Sequence, residues 1–203
     1  MDRTIAYIDG FNLYFGLKEK NWKKYYWLDL QKLCLNLLKH DQVLVSTKYF
    51  TSRVAKPHGK MMRQKAFLEA LSTLNDFQMF YGKYQINIWQ CSACEANIDV
   101  PKEKMTDVNI AVELLTDAFQ NKFDTALIIS ADSDLKPPIV KAKELFPDKI
   151  IVVAFPPKRY SIELKNVADS SFHIGRKKVA DSLLPEQVIK EDGFIITKPT
   201  EWQ

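Results

Sequence analysis

The sequence predicts an α/β fold of three layers, with helices on both faces of a mainly parallel central sheet. Three observations point there. The runs TALIIS (125–130) and KIIVVAF (149–155) are almost continuously apolar, as expected of strands covered on both sides. Short segments rich in β-branched and aromatic residues alternate with stretches of helical periodicity. The 203 residues, 46% hydrophobic and 27% charged, are enough for one core that needs no disulfide staples.

Taken in order, TIAYID (4–9) reads as the first strand. Leu28 to Leu38 places Leu30, Leu33, Cys34, Leu37 and Leu38 on one face of a helix. Strand signals follow at VLVSTKYFTS (43–52), FQMFY (77–81) and YQINIW (84–89), and Gly82-Lys83 between the last two is expected to turn a hairpin. A second amphipathic helix spans Asp107 to Phe119, with Val108, Ala111, Val112, Leu115 and Phe119 expected on its apolar face and Thr106 as its cap. Beyond Ser182 the helical periodicity is lost, while Pro185, Gly193 and Pro199 appear. The expected organisation is therefore one domain over 1–182 and an extended C-terminal arm over 183–203.

Composition bounds the setting. No window approaches ~18 consecutive apolar residues, so no spanning helix and no membrane partner is expected. Three cysteines cannot complete a disulfide framework, and the apolar run near the N-terminus, Ile5 to Ile8, is too short for a signal peptide. The expected compartment is a reducing cytoplasm. A formal charge of +4 is too mild to mark a polyanion binder, so distribution matters more than the sum. The segment RVAKPHGKMMRQK carries Arg53, Lys56, Lys60, Arg63 and Lys65 without an acid, and Lys18, Lys20, Lys23 and Lys24 lie beside Trp22, Tyr25, Tyr26 and Trp27. Cations interleaved with aromatics suit a nucleic-acid backbone and its bases. A solvated helix face and a packed corner explain the same two segments equally well.

The chemistry-bearing residues sit at strand ends. In a parallel sheet, ligands bind at the carboxyl edge, where loops open a crevice and helix N-termini point into it. The first strand delivers Asp9-Gly10-Phe11-Asn12 to that edge, TALIIS delivers Ser130-Ala131-Asp132-Ser133-Asp134, and Asp107 opens a helix at the same edge. Converging carboxylates cannot all stay ionised without a cation or a raised pKa. Oxygen-only ligands favour a hard divalent ion, Mg²⁺ or Mn²⁺. Each acid also has an innocent explanation: Asp134 as a helix cap before Pro137 and Pro138, Asp9 as a turn residue before Gly10. Asp124 precedes its strand, ~20 Å from the crevice at ~3.3 Å per residue, and is expected to be structural.

Asp9-Gly10-Phe11-Asn12-Leu13-Tyr14, Glu103-Lys104-Met105-Thr106-Asp107-Val108 and Ser130-Ala131-Asp132-Ser133-Asp134-Leu135 together resemble the ordered signature of NYN domains, the LabA-like branch of the PIN-like nuclease superfamily. The resemblance runs from the first strand past Ser161–Leu164 to the region of Asp169. It implies a PIN-like Rossmannoid fold over 1–182 and metal-dependent RNA cleavage. The implied acids fall on Asp9, Asp107, Asp132 and Asp134, supported by Asn12 and Ser130. One or two Mg²⁺ or Mn²⁺ ions there would activate a water for in-line hydrolysis and leave a 5′-phosphate. Arg53, Lys56, Lys60 and Arg63 then become a phosphate rail, joined by Lys104 and, as secondary candidates, Lys158 and Arg159. Two departures stand beside the acids, Met105 and Ala131, where the family often has Gly.

Other chemistries fit less well. A phosphatase of the haloacid dehalogenase type needs an Asp where Phe11 stands, and a Toprim-like site needs a Glu where Asp9 stands. The alternative from another class is a non-catalytic RNA-binding or regulatory module on the same fold, against which the intact acids argue. Cys91 and Cys94 have the spacing of half a zinc site, but Cys34, His40, His58 and His173 offer no paired partner, so two reduced thiols in a surface loop are expected, followed by a loop through EANIDVPKEK. Completion of that half-site across a homodimer stays open.

Overall fold

The computed structural model describes residues 1–90, 92, 94 and 96–203, and for 86, 87 and 98–103 the backbone alone. The strands are β1 (Asp2–Asp9), β2 (Gln42–Thr51), β3 (Phe77–Tyr81), β4 (Lys83–Gln90), β5 (Asn97–Lys104), β6 (Thr125–Ile129), β7 (Ile150–Phe155), β8 (Ser170–His173), β9 (Gln187–Ile189) and β10 (Ile195–Thr197). The helices are α1 (Gly10–Glu19), α2 (Leu30–Leu37), α3 (His58–Leu71), α4 (Thr106–Phe119), α5 (Lys136–Leu145), α6 (Ile162–Val167) and α7 (Arg176–Ala180). None of the described helices is long and apolar enough to cross a membrane.

Among the described residues six strands form the central sheet, in the order β3-β2-β1-β6-β7-β8, and every pairing in it is parallel. Alternation along each strand sends side chains to opposite faces. Ala6, Ile8, Leu127 and Ile129 pack with Leu13, Leu33 and Leu71 of α1, α2 and α3, whereas Ile5, Tyr7, Ala126 and Ile128 pack with Ile110, Ile139 and Leu164 of α4, α5 and α6. Two apolar covers on one sheet make the expected three layers. From β1 the chain runs outward through β2 and β3 and then returns to β6 on the other side of β1. That reversal opens a crevice beyond the carboxyl ends of β1 and β6.

Several local expectations are corrected. Gly82-Lys83 does not turn a hairpin between 77–81 and 84–89. β3 extends the parallel sheet beside β2, with the Gly82 amide donating to the Thr51 carbonyl at 2.8 Å, and β4 pairs instead with β5 in a separate antiparallel ribbon. Alternation fixes that a segment is a strand, not which strand it pairs with. The segment expected as a loop through Lys104 is thereby β5, while Cys91 of the cysteine pair lies outside the described residues. Thr106 is the first helical residue of α4 and not its cap. Met105 occupies the cap position with a left-handed backbone, φ 78°.

The buried stripe of α4 is also not the expected one. Ile110, Leu114 and Ala118 enter the core, whereas Val108, Val112 and Phe119 are exposed. Two stripes of equal period compete on this helix, and the inner one was disguised by Asp117, which is buried against Lys48 of β2. Asp124 behaves as expected. At the amino edge of the sheet it takes Nε and Nη2 of Arg3 at 3.0 and 2.7 Å, and this pair holds its carboxyl well below the usual carboxylate range.

Residues 183–203 fold back over α2 and α3. The Trp27 indole N–H donates to the Pro185 carbonyl at 2.7 Å. Val188, Ile196 and Trp202 are buried in the cluster that covers the α1–α3 face.

Candidate active site

β1 ends on Asp9, which caps α1: one carboxylate oxygen accepts the Asn12 amide at 3.0 Å. The other accepts the Ser130 hydroxyl at 2.8 Å, just beyond β6. The Ser130 oxygen in turn accepts the Asp132 amide at 3.0 Å, and the Asn12 side-chain oxygen accepts the Ala131 amide at 3.1 Å. Two of these hydrogen bonds, Ser130 to Asp9 and Ala131 to Asn12, tie the ends of the two neighbouring strands together, the other two brace each end locally, and Asp9, only 4% exposed, is locked among them. Asp132 caps the short 3₁₀ turn Ser133–Leu135 by accepting the Asp134 amide at 3.1 Å.

Asp107 reaches the same place from the first turn of α4. Among the described residues, one oxygen each from Asp9, Asp107 and Asp132 lie within 4.8 Å of one another. They face a cleft of about 180 Å³ whose other lining residues are Asn12, Phe11, Phe15 and Arg159. Burial first, then the fields of Asp9, Asp132 and Asp134, push the Asp107 carboxyl up from 3.8 to about 6. Asp134 is exposed and stands outside the trio, although its charge is felt by Asp107. Three oxygen donors crowded until one of them resists ionisation suit a hard divalent cation, which would relieve their repulsion.

The expected basic residues lie to one side of the acids. Lys56, Lys60 and Arg63 line a separate cavity of about 790 Å³ between α1, α3 and the C-terminal turn. Arg63 is paired with Glu201 at 2.7 Å, and the Arg53 guanidinium lies 4.7 Å from the Tyr81 ring centre. Lys104 is exposed at the end of β5. Arg159, expected from the sequence only as a secondary phosphate contact, is a cation in the acidic cleft itself, held by Glu19. Gly16 explains how it gets there: a Cβ at that position would come 2.6 Å from the Pro157 carbonyl oxygen, so α1 packs directly on the loop carrying Arg159. Phe11 and Phe15 went unrecognised. Their spacing of four along α1 was the available signal.

Comparison with known proteins adds three findings. The sequence model described as the NYN domain matches residues 3–176. The chain is 29% identical over 169 residues to a protein of Pseudomonas putida named 6-hydroxy-3-succinoylpyridine 3-monooxygenase, an alignment that covers 66% of this chain and 54% of that one. The chain therefore spans about half the length of this curated relative. Its fold is similar to the crystal structure of a protein of unknown function from Vibrio parahaemolyticus, with a TM-score of 0.55, 18% identity, and coverage of 90% of this chain and 97% of that one.

Proposed function

The chain belongs to the NYN domain family, within the PIN-like nuclease superfamily, and on that premise we propose that it is a metal-dependent endoribonuclease of the LabA-like branch. The convergence of Asp9, Asp107 and Asp132 at the point where strand order reverses carries this reading. A binding groove for RNA alone gains nothing from three carboxylates held opposite phosphate.

In the mechanism this site supports, Asp9, Asp107 and Asp132 would hold Mg²⁺ or Mn²⁺, with Asp134 at the margin of the donor set. When bound, such an ion would supply countercharge for the scissile phosphate and a lowered pKa for a coordinated water. Ser130 and Asn12 keep Asp9 in a single orientation. Asp107 completes the donor set or positions the attacking water. Arg159 faces the same cleft and offers a fixed positive charge to a non-bridging phosphate oxygen. Attack in line on phosphorus breaks the bond to the 3′-oxygen and leaves a 3′-hydroxyl and a 5′-phosphate. Lys56, Lys60, Arg63, Arg53 and Lys104 hold the flanking backbone. A cytoplasmic location belongs to the same proposal.

The experiment is cleavage of an RNA of defined sequence, blocked at both ends, with Mn²⁺, Mg²⁺ or EDTA. Internal cuts bearing 5′-phosphates, abolished by EDTA, are expected. Metal-independent binding without cleavage would favour a regulatory module instead. The relative named as a monooxygenase supports a second reading, in which a small heteroaromatic acid rather than RNA is the substrate.

A further inference from the structure

α4 covers the sheet with Ile110, Leu114 and Ala118, yet its opposite face is apolar as well. The residues of α4 that stand exposed are Val108, Val112, Thr116 and Phe119, and the three apolar ones keep 61%, 54% and 78% of their surface in water. No charge is among them. The acids of this helix are engaged elsewhere: Asp107 lines the acidic cleft, Glu113 holds Lys48, and Asp117 is buried against the same lysine. α5, packed beside α4, shows how a solvated face is built in this protein, exposing Lys136, Lys141 and Glu144. A helix that is apolar on both sides is normally covered on both.

Spacing says what covers it. Val108, Val112, Leu115 and Phe119 follow one another at intervals of four, three and four, the repeat of a seam between two helices. The stripe offers no cation to a phosphate backbone and lacks the basic rim of a helix that lies on a membrane. A second copy of α4 fits it. Around a two-fold axis the residues near the centre meet their own equivalents, so a charge there would repel itself, and this stripe carries none. We propose that α4 pairs antiparallel with α4 of a second copy, Val112 against Leu115 and Val108 against Phe119, in a symmetric dimer. At 1.5 Å per residue the seam is ~16 Å long. Met105 at the head of α4, and Ile88 and Trp89 on the β4–β5 ribbon that leads into it, are exposed and enlarge the apolar surface. With large side chains burying ~150–250 Å² each, the whole matches the ~800 Å² that each partner of a stable pair covers. The ribbon gains as well, because Ile88 and Trp89 point to its opposite faces and two strands alone are marginal without a surface to pack on. Val108 directly follows Asp107, so the seam also braces the helical turn that brings this acid to the cleft.

The test is sedimentation velocity of the full chain in reductant, with no RNA or metal present. Wild type at roughly 50 µM, a concentration that populates a micromolar dimer, is expected to sediment with twice the chain mass of 23.5 kDa. Val112→Glu sets a carboxylate close to its own equivalent at the axis and should raise the dissociation constant at least about a hundredfold, leaving monomer with wild-type circular dichroism. A second set reads the direction of pairing. Val108→Lys and Phe119→Glu should each split the dimer, and the chain carrying both should restore it, because the two new charges lie ~16 Å apart on one helix but meet across an antiparallel seam. A monomeric wild type overturns the proposal, as does a dimer that survives Val112→Glu. A double variant as monomeric as the single ones overturns the antiparallel seam. RNA cleavage has no part in these readings, so failure of the nuclease reading leaves the dimer to be decided by mass alone.

Discussion

The Ser130 hydroxyl donates to Asp9 across 2.8 Å and so joins the ends of β6 and β1 through one buried side chain. Because the same oxygen accepts the Asp132 amide at 3.0 Å, Ser130 orients two of the three clustered acids. Partners of this kind typically contribute 10–100-fold to metal affinity. Ser130→Ala is expected to weaken Mn²⁺ binding by about that factor in a calorimetric titration. Wild-type affinity in the variant would show that Asp9 is positioned without it.

Asp107 makes the metal-free protein pH-sensitive. Its carboxyl, raised from 3.8 to about 6 in the folded state, keeps a proton there that the unfolded chain has released. Folding therefore binds the proton between about pH 4 and 6, and the stability contributed by this group is present below that window and lost as pH rises through it. A divalent ion competes with the same proton, so the Mn²⁺-induced rise in melting temperature should be larger at pH 7 than at pH 5. Asp107→Asn should remove the difference. An equal rise at both pH values in wild type would place Asp107 outside the metal site.

Met105 stands with φ 78°, in the left-handed region that favours Gly, immediately before the helix that delivers Asp107. An L side chain in this region costs about 1–2 kcal/mol, and the Met105 side chain, 54% exposed, has little packing to lose. Met105→Gly is expected to raise stability by about 1 kcal/mol in urea denaturation, with metal binding unchanged. A loss of stability would mean that the side chain makes a contact worth more than the strain.

The layers and the acids were legible because each is a local signal. A run such as TALIIS is almost continuously apolar because both faces are covered, and Asp9 closes its strand while Asp132 comes three residues after the end of its own. Pairing was not legible. Nothing in FQMFY or YQINIW says that the first joins β2 in parallel and the second turns outward to β5. Charge partners were equally hidden, since Arg63 meets Glu201 across 138 positions and Arg159 meets Glu19 across 140. The misread face of α4 has the same origin: Asp117 looks like a solvent-facing residue until Lys48, distant in sequence, is placed against it.

That buried pair yields a stability prediction. The Lys48 amine lies 2.7 Å from Glu113 and 2.5 Å from Asp117, and the Tyr7 hydroxyl donates to Asp117 at 2.7 Å. Lys48→Ala leaves a carboxylate in the core without its main countercharge and should cost about 3–5 kcal/mol. The double variant Lys48→Met with Asp117→Leu should lose markedly less, because the fully buried carboxylate goes with its countercharge and Glu113, 25% exposed, still reaches water. If the single and double variants melted alike, the cost would lie in packing and not in charge.

The last prediction separates the four acids. Asp→Asn keeps shape and removes charge, so each variant should fold, and in the absence of metal Asp9→Asn and Asp132→Asn should relieve the crowding that raises Asp107. Without a correctly held ion the site loses both the activated water and its charge clamp. RNA cleavage should therefore fall by orders of magnitude in Asp9→Asn, Asp107→Asn and Asp132→Asn. Asp134 lies outside the trio and in solvent, so Asp134→Asn should lose far less, by about tenfold or under, in keeping with a residue at the margin of the donor set. Rates are to be measured across a Mn²⁺ series, because a weakened donor set is partly rescued by saturating metal whereas a lost water-positioning group is not. Equal loss in all four would bring Asp134 into the donor set. Undiminished cleavage in all four would place the chemistry elsewhere on the molecule, once a contaminating nuclease had been excluded by co-elution of activity with the protein.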